Sequence, residues 1–227
     1  VLYDKLQSKN VLDFSMGWGD RLAGFYASET SEYYVGIDPR KENHPIYKEQ
    51  SEFYDKHRTM FEPKKNTEFI CRPAEDVDFT KYEDTFDTVF TSPPYFNVER
   101  YSYDDTQSWV NYKEINELNE QFLHKTLKNL WCSVKSGGYL LVNISDVYSS
   151  SKSSKSWLEI CNPMNNFLST FTDSEYQGCI GMELAKRPNS GGAGTAKSED
   201  YTEEALKKTE ETKDKTFCEP IWIWRKI

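Results

Sequence analysis

Histidine is scarce in this chain of 227 residues, and what there is falls apart from any ligand pattern. His44, His57 and His124 share no metal-ligand spacing with cysteine or carboxylate, so no metal site is expected. The five cysteines (Cys71, Cys132, Cys161, Cys179 and Cys218) stand singly, with no C-x-x-C pair. An odd set of scattered thiols excludes a disulfide framework and predicts a reducing intracellular compartment, cytoplasm or nucleus. No apolar run approaches the roughly 18 residues a membrane-spanning helix requires, so no membrane partner is expected. The chain opens on Val1 with neither a methionine nor a signal-like start, which predicts a piece of something longer. Positive charge is also in short supply: 28 Lys and Arg face 37 Asp and Glu, for a net charge of −9. Phosphate affinity comes mainly from Lys and Arg, so a broad nucleic-acid-binding surface is excluded while a local basic patch is not.

What is present suits one large α/β domain over residues 1–227. Hydrophobic residues make up 37% and aromatics 15%, enough for a real core, and the mean hydropathy of −0.78 implies long polar surface segments. Apolar runs bounded by turn residues predict strands at Asn10–Phe14, Tyr33–Ile37, Glu68–Cys71, Thr85–Thr91, Gly138–Asn143, Tyr176–Leu184 and Pro220–Arg225. Helical spacing lies between most of them, at Asp20–Ser28, Pro45–Met60 and Lys113–Val134, the last stopped by Lys135-Ser-Gly-Gly138. Alternation of this kind predicts a mostly parallel sheet with helices on both faces, ending in an antiparallel pair. The Ser/Lys-rich residues 149–156 read as a flexible loop, and the charged residues 189–215 as a mobile insertion. No stretch is long enough for a separate target-recognition domain.

One run carries most of the functional information. Residues 86–96, Phe-Asp-Thr-Val-Phe-Thr-Ser-Pro-Pro-Tyr-Phe, form a β-branched and aromatic strand that stops at two prolines. Pro93 and Pro94 have no N–H and a fixed φ, so the strand ends in a stiff corner with its carbonyls exposed as acceptors. Strand carboxyl ends are where open α/β sheets bind ligands. Such a corner suits an exocyclic base amine, a poor nucleophile whose lone pair is delocalised into its ring. Ser92 and the Pro93 carbonyl can take the amine's two hydrogens and aim its lone pair outward, a preorganised-dipole effect. Tyr95 offers a face for an unstacked base, worth about 1–3 kcal/mol. Phe96, Glu99 and Tyr101, just beyond, are candidates to line the acceptor pocket; packing or a plain loop accounts for them equally well.

A second cluster lies near the amino end. The first strand runs into Asp13-Phe-Ser-Met-Gly17-Trp-Gly19-Asp20 and then a helix, and glycines 17 and 19 allow a tight turn with close ligand approach. Leu22 stands where the dinucleotide fingerprint has its third glycine, which points away from a pyrophosphate cofactor. Asp38 closes the second strand, twenty-five residues after Asp13, where an acid binds ribose hydroxyls. Asp13 suits holding an ammonium group. Arg21 opposes the dipole of its own helix and so needs a carboxylate partner, either Asp13, Asp20 or a ligand. Ala74-Glu75-Asp76, after the third strand, is placed to meet a purine's amino edge, and a surface turn is the competing reading.

Together these pieces resemble the S-adenosylmethionine-dependent amino-methyltransferases, above all the nucleic-acid members with a Ser/Asn/Asp-Pro-Pro-aromatic motif. The resemblance covers Asp13, Gly17, Gly19, Asp38, Ala74–Asp76 and Ser92-Pro-Pro-Tyr95, in order and spacing. It implies a Rossmann-like class I fold, a seven-strand mostly parallel sheet with its last strand inserted antiparallel, S-adenosyl-L-methionine over the first three strands, and the acceptor amine at Ser92, Pro93, Pro94 and Tyr95. Ser15 stands where these enzymes usually carry a phenylalanine of the cofactor turn, and no Phe-x-Gly-x-Gly segment is found. Within that family Thr-Ser-Pro-Pro-Tyr goes most with cytosine N4 over adenine N6 in DNA, which implies a base reached by base flipping or taken from a single strand. An amine on RNA and a silent cofactor-binding subunit of a methyltransferase complex are the alternatives. The missing recognition domain and the acidic charge imply a partner subunit or homodimer for target recognition. No Pro-Cys pair exists for a cytosine C5 route.

Overall fold

The computed structural model describes residues 2–59, 62, 64–96, 104–151, 154–183 and 218–227. A single turn of helix, α1 (Leu2–Lys5), precedes β1 (Asn10–Asp13), α2 (Asp20–Tyr26), β2 (Tyr33–Ile37), α3 (Asn43–His57), β3 (Asn66–Ile70) and β4 (Phe86–Thr91). Then come α4 (Ser108–Asn111), α5 (Ile115–Glu117), α6 (Lys125–Leu130), β5 (Val134–Asn143), β6 (Val147–Ser151), β7 (Ser154–Leu158), α7 (Cys161–Leu168), β8 (Ser174–Glu183) and β9 (Cys218–Lys226). Seven strands form one sheet in the order β3-β2-β1-β4-β5-β9-β8. Strands β1 to β5 run parallel. The last strand, β9, is antiparallel to both neighbours, β5 and β8. The expected mostly parallel sheet with an antiparallel final strand is therefore present.

The winding fixes where a ligand can sit. From β1 the chain moves outward to β2 and β3, then returns to the other side of β1 as β4. The order reverses between β1 and β4, and the carboxyl ends on either side of that point leave a crevice uncovered by either crossover. Strand alternation divides the core. Val11 joins Tyr3, Met16, Leu22, Phe25, Tyr34 and Tyr47 in one buried cluster. Leu12 joins Phe14, Val35, Val89, Leu140 and Val142 in the larger one. Asp13 follows the parity of Val11 and turns toward the α2 side. Phe14 follows that of Leu12.

Three segments depart from the sequence reading. The helix expected over Lys113–Val134 is composite. Glu117 Oε2 caps its start by accepting the Lys113 and Glu114 amides at 3.0 and 3.2 Å. A wide π turn then occupies Leu118–His124 between α5 and α6, and a 3-10 turn closes it at Trp131–Ser133. The glycines at 137 and 138 do not cap this helix. Gly137, at φ 82°, lies inside β5 where its register against β4 shifts, and Gly138 packs on the Phe86 and Asp87 carbonyls. Of the residues expected to form a loop, 149–151 and 154–156 belong to a two-stranded ribbon, β6 paired antiparallel with β7, and the two between them lie outside the described residues. The insertion expected at 189–215 lies outside the described residues. No helix among the described residues is long and apolar enough to cross a membrane.

Candidate active site

The carboxyl ends of β1, β2 and β4 meet at one cleft, part of it open to solvent. Its wall includes Ser15, Gly17 and Asp38 from the first half of the sheet, Ala74 and Glu75 from the turn after β3, and Ser92 and Pro94 from the proline corner. The two motifs that lie far apart in sequence thus share one cavity.

The first half is wired by hydrogen bonds. Gly17 and Gly19 both take positive φ, 56° and 84°, and a Cβ on Gly19 would collide with the Gln50 side-chain amide. The Gly17 carbonyl accepts from Tyr47 Oη at 2.6 Å and Asn43 Nδ2 at 3.0 Å. Its amide donates to Asp38 Oδ2 at 3.0 Å, and the Arg40 amide donates to Asp38 Oδ1 at 2.8 Å. Each Asp38 oxygen keeps a further lone pair for a hydroxyl donor. Burial raises the Asp38 pKa, against the pull of the Arg40 and Gly17 amides. The Glu75 pKa is also raised by burial. Its Oε1 accepts from Tyr112 Oη at 2.7 Å, while its buried Oε2 has no partner among the described residues. A buried carboxylate oxygen without a donor is costly, and an N–H or O–H arriving in the cleft relieves it. The residues present therefore fit a nucleoside with ribose hydroxyls and an amino edge.

The corner is held by packing. Pro93 and Phe96 are buried, and Phe96 takes φ 46° with its amide donating to the Pro94 carbonyl at 3.0 Å. That left-handed backbone is sparsely populated for a bulky residue and costs about 1–3 kcal/mol, offset here by the Phe96 ring, which is 6% exposed within the main core.

No protein-family profile matches the chain, and no curated protein sequence matches it. Solved structures do. One is a protein of Listeria monocytogenes provisionally described as an S-adenosylmethionine-dependent methyltransferase, with 11% identity over 96% of this chain and 90% of that one, TM-score 0.50. Another is an rRNA methylase from Streptococcus thermophilus, with 11% identity over 100% of this chain and 95% of that one, TM-score 0.51. The chain has the class I methyltransferase fold.

Within that fold, the expected site residues divide. Ser15, Gly17, Asp38, Ala74, Glu75, Ser92 and Pro94 line the cleft. Asp13 does not. It is fully buried and turned to the α2 side, where it accepts from Arg21 Nε at 2.8 Å, Tyr34 Oη at 2.9 Å and the Ser15 amide at 3.1 Å. Arg21, whose guanidinium also bonds the Ser15 carbonyl, has thus found its carboxylate inside the protein. Gly19 shapes the turn without lining the cavity. Asp76 faces outward and pairs with Lys125 at 3.2 Å. Tyr95 is half-buried against the main core, and Phe96 is a core residue. Glu99 and Tyr101 lie outside the described residues.

The sequence reading missed the opposite wall. Thr106, Gln107, Ser108 and Trp109 approach from α4 and the residues before it, and Phe122 from the π turn. Trp18 also lines the cleft, 65% exposed, with the Arg40 guanidinium 5.5 Å from its ring centroid. A tryptophan set between two turn glycines cannot reach the core, and that was its available signal. Asn43 and Tyr47, one helical turn apart on α3, had the i,i+4 spacing of a shared target.

Proposed function

We propose that this chain transfers a methyl group from S-adenosyl-L-methionine to an exocyclic amine of a nucleobase in DNA, with cytosine N4 favoured over adenine N6. One observation carries the reading: the Ser92–Pro94 corner and the Gly17, Asp38 and Glu75 cluster line a single cleft. Asp38 accepts the ribose hydroxyls of the donor, and Glu75 Oε2 accepts from the amino edge of its purine. Bound there, S-adenosyl-L-methionine supplies an electrophilic methyl group on a sulfonium.

Ser92 and the corner carbonyls accept the acceptor amine's hydrogens and direct its lone pair into the cleft, so rate comes mainly from positioning. Nitrogen becomes more acidic as positive charge develops on it, so its proton passes to water without a strong base at the corner. Trp109, a residue of the cleft wall, is assigned the stacking role that the sequence suggested for Tyr95. With a net charge of −9, a firm hold on DNA draws on a local cationic element, a partner subunit or a second copy.

The test is nucleoside mass spectrometry after incubating the protein and donor with mixed DNA and RNA. N4-methylcytosine in the DNA is the expected product. Methylated amines in the RNA alone would move the acceptor class to RNA, and donor binding without any product would make the chain a silent subunit.

A further inference from the structure

The wall across the cleft from the Asp38 cluster is a weak piece of structure on its own. α4 is a single turn, Ser108–Asn111, and none of its four residues is buried. One turn of helix fixes several residues in return for few hydrogen bonds, so it needs a tether from outside. Gln107, just before it, is 7% exposed and anchors its start. Tyr112 anchors its end, where the Tyr112 amide donates to the Ser108 carbonyl at 2.8 Å.

Tyr112 is not part of the cleft wall, but it joins two residues that are, Phe122 and Glu75. Its ring packs against the main core, 6.2 Å from the Phe122 ring and tilted at 34°. Its hydroxyl donates to Glu75 Oε1 at 2.7 Å. Burial and the Glu75 carboxylate raise the Tyr112 pKa, so the phenol keeps its proton and remains a donor. A continuous path therefore runs from α4 through Tyr112 to Glu75, whose other oxygen, Oε2, is buried with no partner among the described residues.

The two oxygens of a carboxylate move as one rigid unit. With a partner on Oε1 only, the Glu75 carboxylate keeps freedom to turn, and an N–H on Oε2 removes that freedom and fixes Oε1 as well. The added donor also favours the ionised carboxyl, and hydrogen bonds to an ionised acceptor are roughly twice as strong as neutral ones.

Resting on the donor placement proposed above, we infer that Tyr112 is a positioning residue that couples donor binding to the acceptor wall. The purine's amino edge locks Glu75, Glu75 holds Tyr112, and Tyr112 seats Ser108 and Trp109 at the cleft. The acceptor base meets a finished wall once the donor is in place, which favours donor-first binding. By linkage, a bound acceptor tightens the hold on donor by the same factor.

The test is hydrogen exchange by mass spectrometry on the full chain, with and without saturating S-adenosylhomocysteine, for the parent and Tyr112→Phe. Phenylalanine keeps the ring and removes only the hydroxyl. The Val110 and Asn111 amides donate to the Gln107 carbonyl and the Tyr112 amide to that of Ser108, so exchange over 110–112 reports the opening of α4. The Gly17 amide, which donates to Asp38, reports the donor turn. In the parent the ligand should slow exchange at both places, over 110–112 by about fivefold or more. In Tyr112→Phe the slowing at Gly17 should remain and that over 110–112 should be lost. Slowing at Gly17 alone in the parent overturns the coupling, whatever the variant does, and leaves the donor placement standing. Equal ligand-induced slowing over 110–112 in parent and variant removes Tyr112 from the path. If the ligand slows exchange at neither place, the donor placement itself fails and the coupling falls with it.

Discussion

The two halves of the cleft are built on different principles. On the first-strand side, position is enforced by directional bonds: the Gly17 carbonyl takes two donors, and Asp38 ties the Gly17 and Arg40 amides to the end of β2. At the corner after β4, position is enforced by covalent ring geometry and by burial of Phe96. Hydrogen bonds can be lost one at a time, with graded effects. A corner made of two prolines and a buried ring has fewer intermediate states. Substitutions on the first side should therefore act mainly on donor affinity, and those at the corner on turnover.

The largest expected effect tests the assignment of Asp13 to the scaffold. Asp13→Ala strands the Arg21 guanidinium, whose side chain is 17% exposed, and should cost about 3–5 kcal/mol in urea-induced unfolding. Donor affinity in the folded fraction should hold, and a stable variant that no longer binds donor would return Asp13 to the site. Next in size, Ser92→Ala should lower kcat about a hundredfold with donor affinity by calorimetry unchanged; undiminished turnover removes the Ser92 hydroxyl from the mechanism. Asp38→Ala should weaken donor binding by about 1.5–3 kcal/mol for each charge-assisted hydrogen bond lost.

The smallest effects sharpen the contrast. Tyr47→Phe removes one of the two donors to Gly17 and should cost about 1 kcal/mol in donor affinity, and the double variant with Asn43→Ala should cost more than the two single changes combined. Binding should also depend on pH. The Asp38 pKa is raised in the free protein, and hydroxyl donors favour its charged form, so the pKa is lower in the complex. Affinity for donor should accordingly be full above the raised value and fall as pH drops through it. The Asp38→Ala variant should lose that dependence.

Much of this molecule was legible from residue order. Six of the seven sheet strands begin within two residues of where apolar runs predicted them, while β5 starts four residues early, at Val134, and runs through the glycines read as its boundary. Gly17, Asp38 and Ser92, all on the cleft wall, could be picked out as candidates because each motif is local: a few adjacent residues fix a backbone shape. Trp109 and Gln107 were not found, because they reach the cleft through the path of the chain, and no local pattern marks that path. Asp13 misled for a related reason. Its place at a strand end was correct, but strand parity directs it to the α2 side, where Arg21 and Tyr34 occupy it.

The π turn at Leu118–His124 has a consequence for how this wall could be altered or inherited. One surplus residue per turn is, in effect, an insertion that the helix has absorbed without breaking. Deleting a single position there would restore ordinary winding, yet everything before the deletion would swing by about 100° relative to α6. Phe122 or Ile115 would then leave its present bearing while Leu127 and Leu130 kept theirs. A one-residue gap in an otherwise alignable chain would thus mark a differently shaped acceptor wall on an unchanged sheet.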